Sequence, residues 1–140
     1  MSPTNIDHDL VQAAQEARSL AYVPYSRFAM GAAVRLDDDS IVLGALVENV
    51  SLGLAMCGER VALFASVCAG GDSRPVGLAL VAPRTDGELT YPCGACLQVA
   101  LELGGPDLAV VIADPDREEI VASTVGGLLP NGPRKDSRPG

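Results

Sequence analysis

Two short stretches set the arrangement of this chain: Cys57-Gly58-Glu59-Arg60 and Pro92-Cys93-Gly94-Ala95-Cys96. The first places a carboxylate two positions after a thiol. The second places two thiols three positions apart, about one helical turn, so that both lie on one helix face. Together they supply three thiols, which are ligands that zinc prefers, and one carboxylate able to move a proton. The sequence therefore predicts a zinc-dependent hydrolytic enzyme.

Three protein ligands leave one of zinc's four positions open to water, which is typical of catalytic zinc. Cys68 lies on the same predicted helix as Cys57, eleven residues on, or roughly 16 Å at about 1.5 Å per residue. Cys68 is therefore too distant to be the fourth zinc ligand, and we predict that it is a small buried residue of the core. His8, the single histidine, lies near the start of a predicted helix. Its spacing does not exclude it as a zinc ligand, but we favour the interpretation that it is an exposed surface residue.

Glu59 and Arg60 each have a functional and an ordinary interpretation. Residues at i and i+2 of a helix do not face each other, so Glu59 shares a site with Cys57 only if Cys57 caps the helix. The alternative is that Glu59 is an ordinary acidic residue in the first turn of a helix.

Arg60 can reach back to the sulfur of Cys57 and offset the net negative charge of three thiolates on Zn²⁺. The alternative is a charge on the helix surface.

The composition of the chain limits the classes of partner and the cellular compartment that we expect. With 140 residues the chain predicts one domain, and a net charge of −8 with a sequence pI near 4.4 argues against a polynucleotide partner. No apolar run is long enough to cross a membrane. Residues 1–9 are polar and acidic, unlike a signal peptide, so we expect a cytoplasmic protein with reduced thiols. Four cysteines in that compartment indicate metal binding or catalysis before disulfides.

Hydrophobic periodicity and turn residues predict the order helix, strand, strand, helix, strand, helix, strand, strand. The predicted helices are 7–21, capped by Thr4 or Asn5, then 57–69 and 93–103, with a last short turn at 125–129. The predicted strands are 30–36, 41–47, 76–82, 108–113 and 118–123. This order favours one α/β domain over 1–130, with a mixed sheet and helices on both faces. The Gly- and Pro-rich segment 131–140 is predicted to be a loose tail.

At these motifs the sequence resembles the small, single-domain cytidine deaminases. The resemblance covers most of the chain and is carried by motifs in a fixed order: Tyr25-Ser26-Arg27-Phe28 with Gly31-Ala32-Ala33, Val47-Glu48-Asn49, Cys57-x-Glu59-Arg60, Pro92-Cys93-Gly94-x-Cys96, Gln98 and Leu128-Leu129-Pro130. It implies a three-layer α/β/α sandwich with a five-stranded mixed sheet.

The same resemblance implies the chemistry of the site. Cys57, Cys93 and Cys96 would bind zinc, and Glu59 would shuttle a proton while water attacks the ring carbon that bears the amino group and ammonia leaves. Phe28 would line the nucleoside pocket. Glu48 would hydrogen-bond the ribose, and the backbone N–H of Gly58, where relatives usually have Ala, would help to hold the base. A homotetramer with active sites shared between subunits is also implied.

The departures from the family pattern fall on the substrate side. Leu46 stands where relatives have an Asn that bonds the ribose, Leu52 where they have Tyr, and Leu97 where they have Arg. Tyr91 replaces a common Ser, and no aromatic residue follows Leu128-Leu129-Pro130. Three hypotheses follow: deamination of cytidine or deoxycytidine, deamination of another aminated heterocycle such as a blasticidin S-like cytosine nucleoside or a modified base, and a non-catalytic zinc domain.

Overall fold

The computed structural model describes residues 5–69 and 71–135 as an α/β domain. Its four α-helices are α1 (His8–Ala17), α2 (Gly58–Cys68), α3 (Gly94–Gly104) and α4 (Val125–Leu128). Its five strands are β1 (Gly31–Leu36), β2 (Ile41–Ala45), β3 (Pro75–Val81), β4 (Ala109–Ala113) and β5 (Ile120–Thr124). Two 3-10 turns, at Arg18–Leu20 and Leu52–Leu54, precede the two loops that lead into β1 and α2.

The strands form one mixed sheet in the order β2-β1-β3-β4-β5. Strands β3 and β4 are parallel, and the other three pairs are antiparallel. The parallel pair is joined through α3, because parallel neighbours need a crossover connection. The expected five-stranded mixed sheet is confirmed.

Alternate residues of the central strands supply two cores on opposite faces of the sheet. Leu78 of β3 and Val110 of β4 point towards α2 and α3, where they join Leu63 and Leu101. Their sequence neighbours face α1 in a core built largely of alanine and valine, whose buried members are Leu10, Val11, Ala14, Ala33, Ala79, Val81, Val111 and Ala113. Helices therefore cover both faces of the sheet, as the three-layer sandwich requires.

The register of the sheet aligns one row of residues at the ends of the strands, on the side of the sheet where α2 and α3 begin. Gly31 pairs with Ala45 on one side and Val81 on the other, and Val81 pairs in turn with Ala113. One residue beyond this row are the side chains Met30, Leu46 and Ala82, which cluster with Leu80. We call this small apolar cluster at the strand ends, formed by Met30, Leu46, Leu80 and Ala82, the apolar floor.

Several element boundaries differ from prediction by a few residues: α1 ends at Ala17 rather than 21, and β5 spans Ile120–Thr124 rather than 118–123. Two further differences have identifiable reasons. The cap of α1 is Asp7, not Thr4 or Asn5: its side chain accepts a hydrogen bond from the N–H of Leu10 and pairs with Arg35 of β1. Strand β2 ends at Ala45, two residues early, because Val47 leaves the sheet to pair with Met56. That departure carries residues 46–48 towards the cysteine site.

The last described residues lie against α3. The side chain of Gln98 donates a hydrogen bond of 2.8 Å to the carbonyl of Pro133, and Gly132 lies close to Leu101 and Leu129. Residues 136–140 of the predicted tail lie outside the described residues. Within the described ranges no helix combines the length and apolar character needed to span a membrane.

Gly44 should be indispensable to the placement of α2. A Cβ at this position would lie 2.3 Å from the carbonyl oxygen of Gly58 and 2.4 Å from the backbone nitrogen of Ala62. Backbone atoms cannot rotate away, so Gly44→Ala should cost at least about 3 kcal/mol, the upper range for overpacking. Thermal unfolding should show the melting temperature falling by roughly 6 °C or more.

The matched control is Gly53→Ala, because a Cβ there meets nothing within 4 Å. Its melting temperature should stay within about 2 °C of the original, since Gly→Ala at an open site changes stability by less than about 1 kcal/mol. Equal melting temperatures for the two variants would contradict the close approach of α2 to β2.

Candidate active site

Each cysteine motif places its first thiol at the cap of a helix. Cys57 is the N-cap of α2, with extended backbone angles of φ −67° and ψ 149°. Cys93 holds the same position before α3, with φ −72° and ψ 165°. The condition for Glu59 to share a site with Cys57 is therefore met, since Cys57 lies outside the regular helix. Glu59 and Cys96 occupy the first turns of their helices.

The three sulfurs converge at the edge of the sheet. Cys93 Sγ lies 3.3 Å from Cys96 Sγ and 4.0 Å from Cys57 Sγ, and all three atoms lie within 4.8 Å of one another. Tetrahedral zinc with sulfur at about 2.3 Å requires sulfurs separated by about 3.8 Å. The residues present therefore fit a zinc ion with three thiolate ligands.

Neither of the other candidate ligands joins this group. Among the described residues the metal-ligating set at this point consists of Cys57, Cys93 and Cys96. His8 lies at the exposed start of α1, as predicted. Cys68 is exposed at the C-terminal end of α2, so the prediction of a buried core residue is wrong. The buried face of α2 is formed instead by residues such as Ala62, Leu63 and Ser66.

The pKa values of two of the clustered thiols, Cys57 and Cys96, are shifted in opposite directions. A hydrogen bond from Cys96, followed by one from Arg60, lowers the pKa of Cys57 to about 5. The same bond to Cys57 and burial raise the pKa of Cys96. Metal binds thiolates, so the lowered pKa of Cys57 favours its role as a ligand.

Glu59 is a fully buried carboxylic acid without a hydrogen-bond partner for either carboxylate oxygen in the described structure. Burial raises the pKa of Glu59 to about 7, with the nearby charge of Cys57 acting in the same direction. A buried, unsatisfied carboxyl group destabilises a fold and is characteristic of functional sites. It is suited to exchanging protons with a bound molecule.

Arg60 makes the contact expected of it. Its Nη2 lies 3.8 Å from the sulfur of Cys57, at the geometric limit for a hydrogen bond to sulfur. Hydrogen bonds to Cys96 and Cys57 outweigh desolvation and raise the pKa of Arg60. The guanidinium therefore brings positive charge to a cluster that would otherwise carry a net negative charge with Zn²⁺ bound.

The predicted substrate-side residues lie around the apolar floor. Phe28 is half-buried and packs against the cluster of Met30, Leu80 and Ala82, as do Leu46 and Cys57. Gly58 is buried, and a Cβ there would lie 3.1 Å from the Cα of Ala45. The structure thus brings Phe28 and Gly58 to the same edge of the sheet as the sulfurs.

The side chain of Glu48 has a set of partners that sequence reasoning missed. Its Oε1 accepts hydrogen bonds from the backbone N–H groups of Tyr25 and Ser26, at 3.0 and 3.2 Å. The three substituted leucines are in different environments: Leu97 is buried in α3, Leu52 is 83 % exposed, and Leu46 lies at the floor. Only Leu46 therefore changes the polarity of the floor itself.

Fold and site together define a zinc-binding enzyme of the hydrolytic class. Residues 4–113 match the family model for the cytidine and deoxycytidylate deaminase zinc-binding region. The chain belongs to the cytidine deaminase family. The family's zinc-binding region and the three-thiol group identify zinc as its metal.

Individual relatives agree with this assignment along most of the chain. A cytidine deaminase of Mycobacterium tuberculosis is 44 % identical over 118 residues, covering 84 % of this chain and 82 % of that protein. One from Halalkalibacterium halodurans is 44 % identical over 123 residues, covering 86 % and 89 %. The crystal structure of cytidine deaminase from Burkholderia pseudomallei superposes with a TM-score of 0.82 at 41 % identity, covering 91 % of this chain and 99 % of that chain.

Zinc content should separate the three clustered cysteines from the fourth. Metal analysis of the purified protein should find about one zinc per chain, and Cys96→Ala should lower this to a small fraction because the site loses a buried ligand. Cys68→Ala is the matched control, since its exposed thiol lies outside the cluster, and it should retain the full content. Loss of zinc in the control, or its retention in Cys96→Ala, would contradict the ligand set.

Proposed function

We propose that this chain catalyses the hydrolytic deamination of cytidine or deoxycytidine, giving uridine or deoxyuridine and ammonia. The observation that carries this proposal is the buried, unpartnered carboxyl group of Glu59 beside three converging thiols. Its relatives' identity as cytidine deaminases supports the choice of substrate. In this reaction water adds to the ring carbon that bears the amino group, and the amino group leaves.

The three cysteines would hold zinc, which when bound acidifies water and polarises the reacting centre. Glu59 would accept the proton that the attacking water loses and deliver it to the ring nitrogen. It would then move the second proton, from the hydroxyl group added to the ring, to the amino group, which leaves as ammonia. Its burial favours this role, because a carboxylate without competing partners is free to bond the reactants. Arg60 would offset the excess negative charge of three thiolates and orient Cys57.

The substrate would lie over the apolar floor. Phe28 would form one wall, the backbone N–H of Gly58 would hold the base, and Glu48 would accept a hydrogen bond from the ribose. The position of Phe28 against the same cluster as Cys57 supports the first assignment. The close packing of Gly58 on Ala45 supports the second, because it leaves the first turn of α2 little freedom to move.

A second candidate substrate class is another aminated heterocycle, and Leu46 favours it. Its side chain packs in the apolar floor, while its backbone groups are already bonded to Met30 and Tyr22. A sugar hydroxyl buried against this side chain would lose a partner, at a cost of about 1 to 3 kcal/mol. Such a site would select a substrate with fewer polar groups at this point.

Glu59→Gln tests the proposed reaction directly. The substitution keeps the size of the side chain and removes its ability to transfer a proton, so turnover of cytidine should fall by about 10² to 10⁴-fold. Ammonia release and the ultraviolet change from cytidine to uridine measure it, with zinc content checked in parallel. Glu88→Gln, on an exposed turn, is the matched control and should retain full turnover.

The same assay separates the two substrate classes when it compares cytidine, deoxycytidine, free cytosine and larger cytosine nucleosides. The proposal expects cytidine or deoxycytidine to have the highest kcat/KM. If both are poor substrates beside another member, the second candidate replaces the first. Full turnover in Glu59→Gln would contradict both, and would leave a zinc site without the proposed catalytic group.

We further propose that the chain assembles as a homotetramer. Helix α2 is apolar almost all round, a pattern that favours burial on every side. Yet Phe64 and Val67 are exposed, and with Val99 and Leu103 they line a groove of about 370 Å³ between α2 and α3. Three further apolar side chains just before Cys57, Val50, Leu52 and Leu54, are 79 %, 83 % and 68 % exposed.

Light scattering should give a mass about four times the 14.4 kDa chain mass. Val67→Asp should lower that mass, because it would bury a charge in the apolar face between α2 and α3. Glu88→Asp, on an exposed turn, is the control and should leave the mass unchanged. A monomer mass for the unmodified protein would contradict the assembly.

A further inference from the structure

The segment 46–48 connects the residues just before Cys57 to the 22–28 loop, which carries Phe28. Val47 exchanges two backbone hydrogen bonds with Met56, the residue before Cys57, at 3.0 and 2.9 Å. On its other side, Tyr22 N–H donates to the carbonyl of Leu46 and Glu48 N–H donates to the carbonyl of Tyr22, at 2.9 and 2.8 Å. The segment therefore links the cap of α2 to the start of the 22–28 loop.

The 22–28 loop has a conformation that needs support. Arg27 has a φ of +61°, in the left-handed region that non-glycine residues disfavour. A turn closes between Val23 and Arg27, and Ser26 Oγ accepts a hydrogen bond from the N–H of Phe28. The loop thus delivers Phe28 to the floor of the site through a disfavoured turn. Such conformations persist when surrounding contacts hold them.

The side chain of Glu48 provides such a contact across 23 residues of sequence. One carboxylate oxygen accepts both the Tyr25 and the Ser26 N–H groups, which are adjacent along the turn. Hydrogen bonds to an ionised group are stronger than those between neutral groups. The Ser26 hydroxyl, and after it the two amides, hold the pKa of Glu48 below its usual range, which keeps it charged.

We propose that Glu48 is a positioning residue: its carboxylate holds the Tyr25–Ser26 turn so that Phe28 stays at the floor of the site. This role differs from a contact with the ribose, because it operates in the protein without substrate. It rests on the proposed function only for its effect on turnover. Through residues 46–48, the carboxylate that holds the loop is connected to the backbone that precedes Cys57.

Amide hydrogen exchange, measured by NMR on the full chain without substrate, tests the proposal. In Glu48→Ala the amides of Tyr25 and Ser26 should exchange about tenfold faster, as expected when a hydrogen bond is lost. Glu48→Gln keeps a carbonyl acceptor in place and should remain within about threefold of the original rates. Glu88→Ala, on the exposed turn before Leu89, is the control and should change neither amide.

Kinetics give the second readout. Displacement of Phe28 should raise the KM for cytidine about tenfold in Glu48→Ala and less in Glu48→Gln, with kcat changed less than KM in both. Unchanged exchange at Tyr25 and Ser26 in Glu48→Ala would overturn the proposal, even if KM rises, because only a ribose contact would then remain. Equal exchange in the Ala and Gln variants would overturn it as well. Absence of cytidine turnover in the unmodified protein would contradict the proposed function, while the exchange comparison would still decide the role of Glu48.

Discussion

The site depends on how closely the first turn of α2 approaches strand β2. Gly44 leaves no side chain between them, and Gly58 and Ala45 meet at distances that leave little room for a larger residue. This contact fixes the start of α2 at the end of the sheet, just where α3 also begins. The three sulfurs come from the starts of two helices, and they can converge within 4.8 Å only if those starts lie close together. The metal centre is therefore a consequence of backbone packing as much as of cysteine spacing.

The same packing buries Glu59 without a partner. An unsatisfied polar group of this kind costs about 1 to 3 kcal/mol, a considerable fraction of the stability of a single domain. Neither carboxylate oxygen has a hydrogen-bond partner in the described structure to offset that cost. Neighbouring Arg60, by contrast, is directed to the sulfur of Cys57. In the proposed function, adjacent residues of one helical turn thus serve different partners: Glu59 would bond a reactant, and Arg60 would balance the charge of the metal ligands.

Much of this arrangement could be predicted from the sequence, because its signals are local. The helix starts follow from the cysteine motifs, and the strands from short apolar runs bounded by turn residues. The exclusion of Cys68 from the site followed from helix length alone. The exposure of Cys68 could not be predicted, because residues 61–68 of α2 are almost entirely apolar and give no period that selects a buried face. The structure buries Ser66 and exposes Val67 beside it, a choice set by the neighbouring elements.

Contacts between distant segments had no local signal. Glu48 could be matched to a ribose contact by resemblance, but its bonds to Tyr25 and Ser26 depend on how the chain leaves β2. Strand β2 ends early because Val47 pairs with Met56, and that pairing turns residues 46–48 towards the 22–28 loop. Leu46 and Glu48 consequently belong to one segment that connects the residues before Cys57 to the loop that carries Phe28. A change at Leu46 alters the polarity of the floor while leaving these backbone bonds intact, so substrate preference can vary without disturbing the placement of the three sulfurs or Glu59.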